Sequence, residues 1–314
     1  MKLVIQIPCY NEENSLPVTL KALPEKIEGI DEIEVLIIDD GSSDRTVEVA
    51  RELGVKHIVS MPHNSGLAKA FTAGINESLA VGADIIVNTD ADNQYCADDI
   101  EKLVKPIING DADIVIGSRP VSKIEHFSLL KKFLQKTGSF VMRLISSTDV
   151  EDAPSGFRAF SRNAAIRLNV FDNYTYTLDT IIQAKAKGLH LKCVPINVNP
   201  ELRESRLVKN IFDYVRRSMF TMIRMFIIYR PFRFFSILAG IFFTLGVLIG
   251  LRFLWFYLFE SGAGHIQSLI LSAILIIIGV QVAVIAVVSE LLSINRKLLE
   301  DIQTRLKLQD LKKN

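Results

Sequence analysis

Apolar positions along this chain follow two different regimes. As far as about Val198, short uninterrupted apolar runs recur: Leu3 to Ile7, Glu34 to Asp39, His57 to Ser60, the stretch opening at Asp84, Asp113 to Ser118, and Leu189 to Val198. Runs that are continuous rather than alternating are the pattern of strands buried on both faces. Polar and helical stretches separate them. Asn14 or Ser15 can cap a helix with Pro17 in its first turn, and the turn Asp40 to Asp44 can cap another from Arg45 to Leu53. Helical spacing also marks Gly66 to Leu79, Asp98 to Ile108 and Tyr174 to Lys187. Strands alternating with helices predict an α/β fold with a mostly parallel sheet covered on both sides.

The second regime begins near Phe234. Phe234 to Leu251 carries no charge, the apolar character resumes from Phe253 to Phe259, and Ile266 to Ser289 is again uncharged. About 20 residues span a bilayer, so both segments predict transmembrane helices. Arg230 and Arg233 precede the pair and Arg296 and Lys297 follow it, whereas Glu260 to His265 has no Lys or Arg. The positive-inside rule then places the preceding region and both termini in the cytoplasm and the short loop outside. Arg252 can snorkel from the outer end of its helix. Leu207 to Tyr229 mixes Ile211, Tyr214, Phe220, Ile223 and Ile227 with Lys209, Arg216, Arg217 and Arg224, which predicts a basic amphipathic helix on the inner leaflet. Lys123 to Ser147 offers another apolar helical face among lysines, suited either to the core or to a membrane surface. Four parts follow: 1–206 globular, 207–231 juxtamembrane, 232–289 two membrane helices, 290–314 a cytoplasmic helical tail. In that tail Leu292, Asn295, Leu299, Ile302, Leu306 and Gln309 recur at coiled-coil spacing, which permits homo-oligomerisation through tail and membrane helices.

Composition narrows the function. The formal net charge of the 314 residues is only +1, so no global field argues for nucleic acid. Cys9, Cys96 and Cys193 are odd in number and widely spaced, as expected of reduced cytosolic thiols without a structural metal. The start, MKLVIQIPCYNEE, has too short an apolar run for a signal peptide.

Candidate chemistry gathers where strands end. In DIIVNTDADNQY an extended backbone would send Asp90, Asp92 and Gln94 to one side, an oxygen-rich cup suited to Mg²⁺ or Mn²⁺. Alone, Asp-Ala-Asp is better read as a solvated acidic turn, and only its surroundings favour a metal site. Pro8 to Glu12 and Asp39 with Asp40 also lie just past strand ends, and parallel sheets bind ligands there, so one crevice is implied. No dinucleotide-type glycine fingerprint or phosphate-cradling Gly-Lys-Ser/Thr loop occurs. A bound nucleoside diphosphate would need a metal and basic side chains, with Lys69, Arg119, Arg203 and Arg206 as candidates. Among the acids of DVEDAPSGFRAFS, Asp152 stands out.

Taken in order, these motifs resemble the family 2 inverting glycosyltransferases, especially the polyprenyl-phosphate enzymes related to dolichol-phosphate mannose synthase. Pro8-Cys9-Tyr10-Asn11-Glu12-Glu13 is similar to the family's first nucleotide-binding turn and Asp39-Asp40-Gly41-Ser42 to its second. Asp90-Ala91-Asp92 with Gln94 resembles its metal signature, Gly117-Ser118-Arg119 its Gly-Ser-Arg, and Asp152 with Ser155-Gly156-Phe157-Arg158 its acceptor-side segment. The resemblance implies an A-type glycosyltransferase (Rossmann-like) domain and transfer of one sugar from a GDP- or UDP-linked donor to a membrane polyprenyl phosphate, with inversion. It implies donor binding by Pro8, Tyr10, Glu12, Asp39, Asp40, Lys69, Asp90 and Ala91, and Mg²⁺ or Mn²⁺ on Asp90, Asp92 and Gln94. Asp152, Asp92 and Arg119 would serve catalysis, and Arg119, Arg203 and Arg206 would bind phosphates. Two departures stand out: Arg203-Glu204-Ser205-Arg206 has neither the usual glycine nor the lysine, and Asp179 replaces a more usual Glu. The resemblance also disfavours a polymerising enzyme, since related processive synthases carry a Gln-x-x-Arg-Trp motif and the single tryptophan here, Trp255, lies in a membrane span. Two other readings compete: transfer to a hydroxyl-bearing lipid such as a diacylglycerol, ceramide or lipid-linked oligosaccharide, and sugar-nucleotide binding without turnover.

Overall fold

The computed structural model describes residues 1–119, 150, 152–170, 176–200, 216, 219–220, 223–224, 226–259 and 266–313. The chain divides into two compact units, Met1–Met222 with Gln303–Asn314, and Ile223–Ile302. The expected apolar face of 123–147 lies outside the described residues, as do Arg203, Arg206 and the loop 260–265.

In the first unit the expected strands form one sheet. The strands are β1 (Lys2–Cys9), β2 (Glu32–Asp39), β3 (His57–Ser60), β4 (Ile85–Asn88), β5 (Ile114–Ser118), β6 (Arg158–Ser161) and β7 (Leu191–Pro195). Between them run α1 (Leu16–Ala22), α2 (Thr46–Glu52), α3 (Leu67–Ala80), α4 (Ile100–Ile108), α5 (Arg162–Arg167) and α6 (Tyr176–Ala186). The strand order is β3-β2-β1-β4-β6-β5-β7, and all neighbours are parallel except β6, which runs antiparallel to both β4 and β5. The sheet is therefore mixed, mostly parallel and Rossmann-like. Leu3, Ile5 and Ile7 on one face and Val4 on the other are fully buried, which is why β1 reads as an unbroken apolar run.

Polar exceptions inside this core mark where helix and strand meet closely. Gln6 is buried in β1, and its Nε2 donates to Asn88 Oδ1 of β4 at 2.8 Å. A Cβ on Gly74 would stand 2.5 Å from Gln6 Oε1 and 2.8 Å from Ile38 Cδ1, so α3 packs closely over these buried side chains of β1 and β2.

The second unit contains α7 (Pro231–Phe259) and the larger part of α8 (Ile266–Lys313). Both are long and apolar enough to cross a membrane. They meet through small residues: a Cβ on Gly246 would lie 2.8 Å from Ile276 Cγ1, one on Gly279 3.0 Å from the Phe243 nitrogen, and Ser272 Oγ donates to the Gly246 carbonyl at 2.7 Å. Such close backbone approach is how helices associate in lipid, where apolar burial gives no advantage. Leu248, Trp255, Ile277 and Val284 face outwards. Arg252 is exposed within α7, its guanidinium 5.3 Å from the Phe256 ring centroid. Beyond the expected span α8 continues unbroken, and Leu292, Leu299, Ile302 and Leu306 of the expected heptad pattern are exposed on it. Of the expected juxtamembrane helix, Met219, Phe220 and Ile223 are described, helical and exposed.

Candidate active site

Parallel pairing puts the carboxyl ends of β1, β2, β4 and β5 at one edge of the sheet, and antiparallel β6 begins there, with Arg158 opposite Asn88. Pro8–Glu12, Asp39–Asp40, Asp90–Gln94, Arg119 and the loop from Asp152 to Phe157 are thus brought to a single edge, as the strand-end rule predicts.

The first two turns brace each other. Asn11, at φ 56°, donates its N–H to Ser42 Oγ (2.9 Å) and accepts from the Ser43 N–H (2.8 Å). The Glu12 N–H donates to Thr46 Oγ1 at 2.8 Å, and the Glu12 carboxylate accepts from Ser15 Oγ, so this glutamate is buried. Ser15 begins α1 as expected, but its hydroxyl goes to Glu12 instead of capping the helix. Tyr10 is exposed and Pro8 half-buried. Asp39 accepts from the Ser42 N–H at 3.0 Å. Both Asp40 oxygens are committed to backbone, accepting from Ser65 (2.7 Å) and Gly66 (2.9 Å), so Asp40 holds the N-terminus of α3 in place. Lys69 is exposed in the first turn of that helix. Gly41 has φ +72°, and a Cβ there would lie 2.6 Å from the His63 carbonyl carbon, which leaves glycine as the residue this turn accepts.

The acidic cup arises differently from the expectation. β4 stops at Asn88, so Asp90 to Gln94 is a turn and not an extended strand whose side chains alternate. Asp92 Oδ1 accepts from the Gln94 N–H at 3.1 Å, Asn93 sits at φ 54°, and the Ala91 carbonyl accepts from Thr19 Oγ1 at 2.9 Å. An aspartate bonding its backbone two residues on is a turn device, and it holds this segment without a ladder. Ala91 is buried in the core, while Asp90, Asp92 and Gln94 are half-buried. A Cβ on Gly156 would come within 3.3 and 3.4 Å of the two Asp90 oxygens. The donor set suits a hard divalent cation, though among the described residues no three His, Cys, Asp or Glu side chains gather to hold one. Two carboxylates with room for phosphate oxygens are what Mg²⁺ takes.

Arg119 and Asp152, expected to act separately, are partners. Arg119 Nε donates to Asp152 Oδ2 at 2.7 Å, Nη2 to Oδ1 at 3.1 Å, and the Arg119 backbone N–H to Oδ2 at 3.2 Å. Asp152 is fully buried and the Arg119 side chain is 12% exposed. Burial alone would lower the Arg119 pKa, but the Tyr95 phenol and the Asp152 carboxylate outweigh it and move it upward. Burial, with Asp90 and Asp152 nearby, pushes the Tyr95 phenol up to about 12 against the opposing pull of Arg119.

Other residues of this edge were given no role of their own by the sequence, although Gly156 and Arg158 lie in the acceptor-side motif. Arg158 is fully buried, donating to the carbonyls of Ser155 and Thr177 (2.8 Å each) and Ala153 (2.8 Å) and to Thr180 Oγ1 (2.6 Å). It ties the Asp152 loop to α6. Asn88, Tyr95 and Tyr176 converge on Gly156. For Asn88, Tyr95 and Tyr176 the one available signal was the polar Asn88 within the apolar run of β4.

This sheet and its braced polar edge define an A-type glycosyltransferase catalytic domain. Residues 4–168 match the model of glycosyl transferase family 2, and the chain belongs to that family. It is 31% identical over 211 residues to a UDP-N-acetylglucosamine–dolichyl-phosphate N-acetylglucosaminyltransferase of Methanococcus voltae, covering 60% of this chain and 82% of that protein. It is 30% identical over 218 residues to an undecaprenyl-phosphate mannosyltransferase of Micrococcus luteus, covering 66% and 88%. Among solved structures, glucosyl-3-phosphoglycerate synthase from Mycobacterium tuberculosis in complex with Mn²⁺ and uridine-diphosphate-glucose matches with TM-score 0.55 and 20% identity, covering 72% of this chain and 78% of that one. At that identity the likeness speaks for the fold alone.

Proposed function

We propose that this glycosyltransferase moves one sugar from a GDP- or UDP-linked donor to the phosphate of a membrane polyprenol, with inversion and with Mg²⁺ or Mn²⁺ as cofactor. One observation carries the reading: both relatives described above are named for a polyprenyl phosphate acceptor, while their sugars differ, N-acetylglucosamine in one and mannose in the other. Two helices able to cross a membrane, in the same chain, suit a lipid acceptor. The positive flanks Arg230, Arg233, Arg296 and Lys297 favour a cytoplasmic catalytic unit and cytoplasmic termini. Self-association through the membrane helices and tail belongs to the same reading.

Asp90, Asp92 and Gln94 would hold the metal, which supplies charge stabilisation for a departing nucleoside diphosphate. Tyr10, Glu12, Asp39 and the Asp40-braced start of α3 frame the donor side of the edge. On the acceptor side, Arg119 spends two of its five side-chain N–H donors on Asp152, and the others can meet a phosphate. Arg203 and Arg206 add positive charge for the same phosphates. A phosphate monoester, with its second pKa of about 6, is largely dianionic at neutral pH and needs no base to attack. Asp152, with both oxygens engaged, accordingly orients Arg119 and through it the acceptor. A hydroxyl-bearing lipid would require a base, and the engagement of Asp152 speaks against that alternative.

The test is to incubate membranes containing the protein with a panel of labelled nucleotide sugars, with and without polyprenyl phosphate, and to extract the lipid. Label should enter lipid from one donor, depend on polyprenyl phosphate, and disappear in excess chelator. Label in a diacylglycerol or ceramide fraction would overturn the acceptor assignment.

A further inference from the structure

Three buried polar side chains from separate parts of the chain meet at one glycine. The Gly156 N–H donates to Tyr95 Oη at 3.1 Å, and its carbonyl accepts from Asn88 Nδ2 at 3.0 Å and from Tyr176 Oη at 3.1 Å. Asn88 Nδ2 also donates to Tyr176 Oη at 2.9 Å, and Gln6 Nε2, donating to Asn88 Oδ1 at 2.8 Å, fixes which way that amide faces. Asn88 and Tyr176 are fully buried and Tyr95 is 4% exposed. A Cβ on Gly156 would come within 3.0 Å of Tyr176 Oη and 3.3 and 3.4 Å of the two Asp90 oxygens, so the glycine, this hydroxyl and the Asp90 carboxylate crowd together at one spot.

Core packing does not account for these hydroxyls. The Tyr176 ring stacks on Phe71 with centroids 3.9 Å apart and the Tyr95 ring on Phe157 at 4.9 Å. Phenylalanine would keep both stacks without the cost of taking a phenol out of water. What the hydroxyls add is control of the Gly156 peptide, held from both its N–H and its C=O.

We propose that Tyr95, Tyr176 and Asn88 are positioning residues that set the place of the Asp90 carboxylate through Gly156. They make the Asp152 loop and the acidic turn a single rigid assembly. Gly156 and the Tyr176 hydroxyl bound the space that the Asp90 carboxylate occupies, and Tyr95 and Asn88 keep that peptide from moving. Donor-metal binding on one side and acceptor orientation on the other are then adjusted together. The inference rests on the reading of Asp90 as a metal ligand.

Mn²⁺ uptake by the full-length protein in detergent micelles tests it, read as loss of the free-ion electron paramagnetic resonance signal with UDP or, separately, GDP. Thermal unfolding is followed in parallel. Wild type should bind Mn²⁺ with one of the nucleotides and Asp90→Ala should not. Tyr176→Phe or Tyr95→Phe should weaken Mn²⁺ binding about 10-fold while remaining folded, the usual scale for a group that orients a ligand. Gly156→Ala, if folded, should weaken it at least as much. Both phenylalanine variants folded and binding Mn²⁺ like wild type would overturn the positioning role. Wild type taking up no Mn²⁺, or Asp90→Ala binding normally, would remove the metal reading itself and the inference with it.

Discussion

Arg119 grips Asp152 with two parallel hydrogen bonds, Nε to Oδ2 at 2.7 Å and Nη2 to Oδ1 at 3.1 Å, across a separation of 33 residues. An ion pair this buried is poor evidence of stability, since desolvating two charges offsets much of their attraction. Its value is geometric: a planar guanidinium held by a bidentate carboxylate has a fixed remaining edge.

Asp152→Asn keeps the shape and loses the charge. Turnover with polyprenyl phosphate should fall by about 100-fold, the scale of a small misplacement of a reacting group, while the pH dependence of the residual rate keeps its shape. Nearly unchanged turnover would rule out any role for the pair; a lost ionisation in the pH–rate profile would show Asp152 acting as a base.

Arg158 makes four hydrogen bonds without exposure to solvent. Arg158→Met should cost at least about 3 kcal/mol, because several buried carbonyls lose a charged donor together. Arg158→Lys should not rescue, since an ammonium cannot reproduce the fork. Chemical denaturation measures both, and a fully stable lysine variant would contradict the account.

The metal assignment predicts that Asp92→Ala abolishes metal-dependent transfer and leaves the detergent requirement for extraction unchanged. Lipid labelling and membrane fractionation read the two outcomes separately. Transfer persisting in excess chelator would refute the assignment.

Far from the active edge, Glu34 receives Lys2 Nζ at 2.6 Å and His57 Nε2 at 3.2 Å. Burial would raise its pKa, but the bonds to Lys2 and His57 outweigh this and lower it. A carboxylate with a depressed folded-state pKa contributes stability above its ordinary value, and that contribution is lost as pH falls through the folded value. Glu34→Gln should therefore narrow the stability difference between neutral and acid pH. Denaturant midpoints at pH 7 and pH 3 check it, and an unaltered difference would contradict the sign.

Which features were readable in the chain follows from the range of the forces behind them. The runs at Leu3, Glu34, His57 and Asp113 gave strands because burial on both faces leaves a local record, and strand ends then located the crevice. Asp90 to Gln94 forms a turn where the alternate spacing of its polar side chains implied extension, because its geometry depends on a hydrogen bond from Gln94 and an anchor from Thr19 that no alternation pattern encodes. The antiparallel insertion of β6 between β4 and β5 could not be foreseen from four residues of which only Ala159 and Phe160 are apolar. The pairing of Arg119 with Asp152, and the burial of Arg158, are tertiary facts between distant residues whose types alone suggest solvent-exposed charges.

The unbroken helix from Ile266 to Lys313 imposes a condition of its own. At 1.5 Å per residue its 48 residues reach about 70 Å, more than twice the roughly 30 Å of a bilayer's hydrocarbon core. Depth and phase are coupled along such a rod. Deleting one residue between Leu292 and Ile302 would rotate everything beyond it by about 100° and withdraw it by about 1.5 Å, whereas removing seven would nearly restore the angle. Length changes in this segment should therefore act periodically, like turns of a screw, and not in proportion to the number of residues removed.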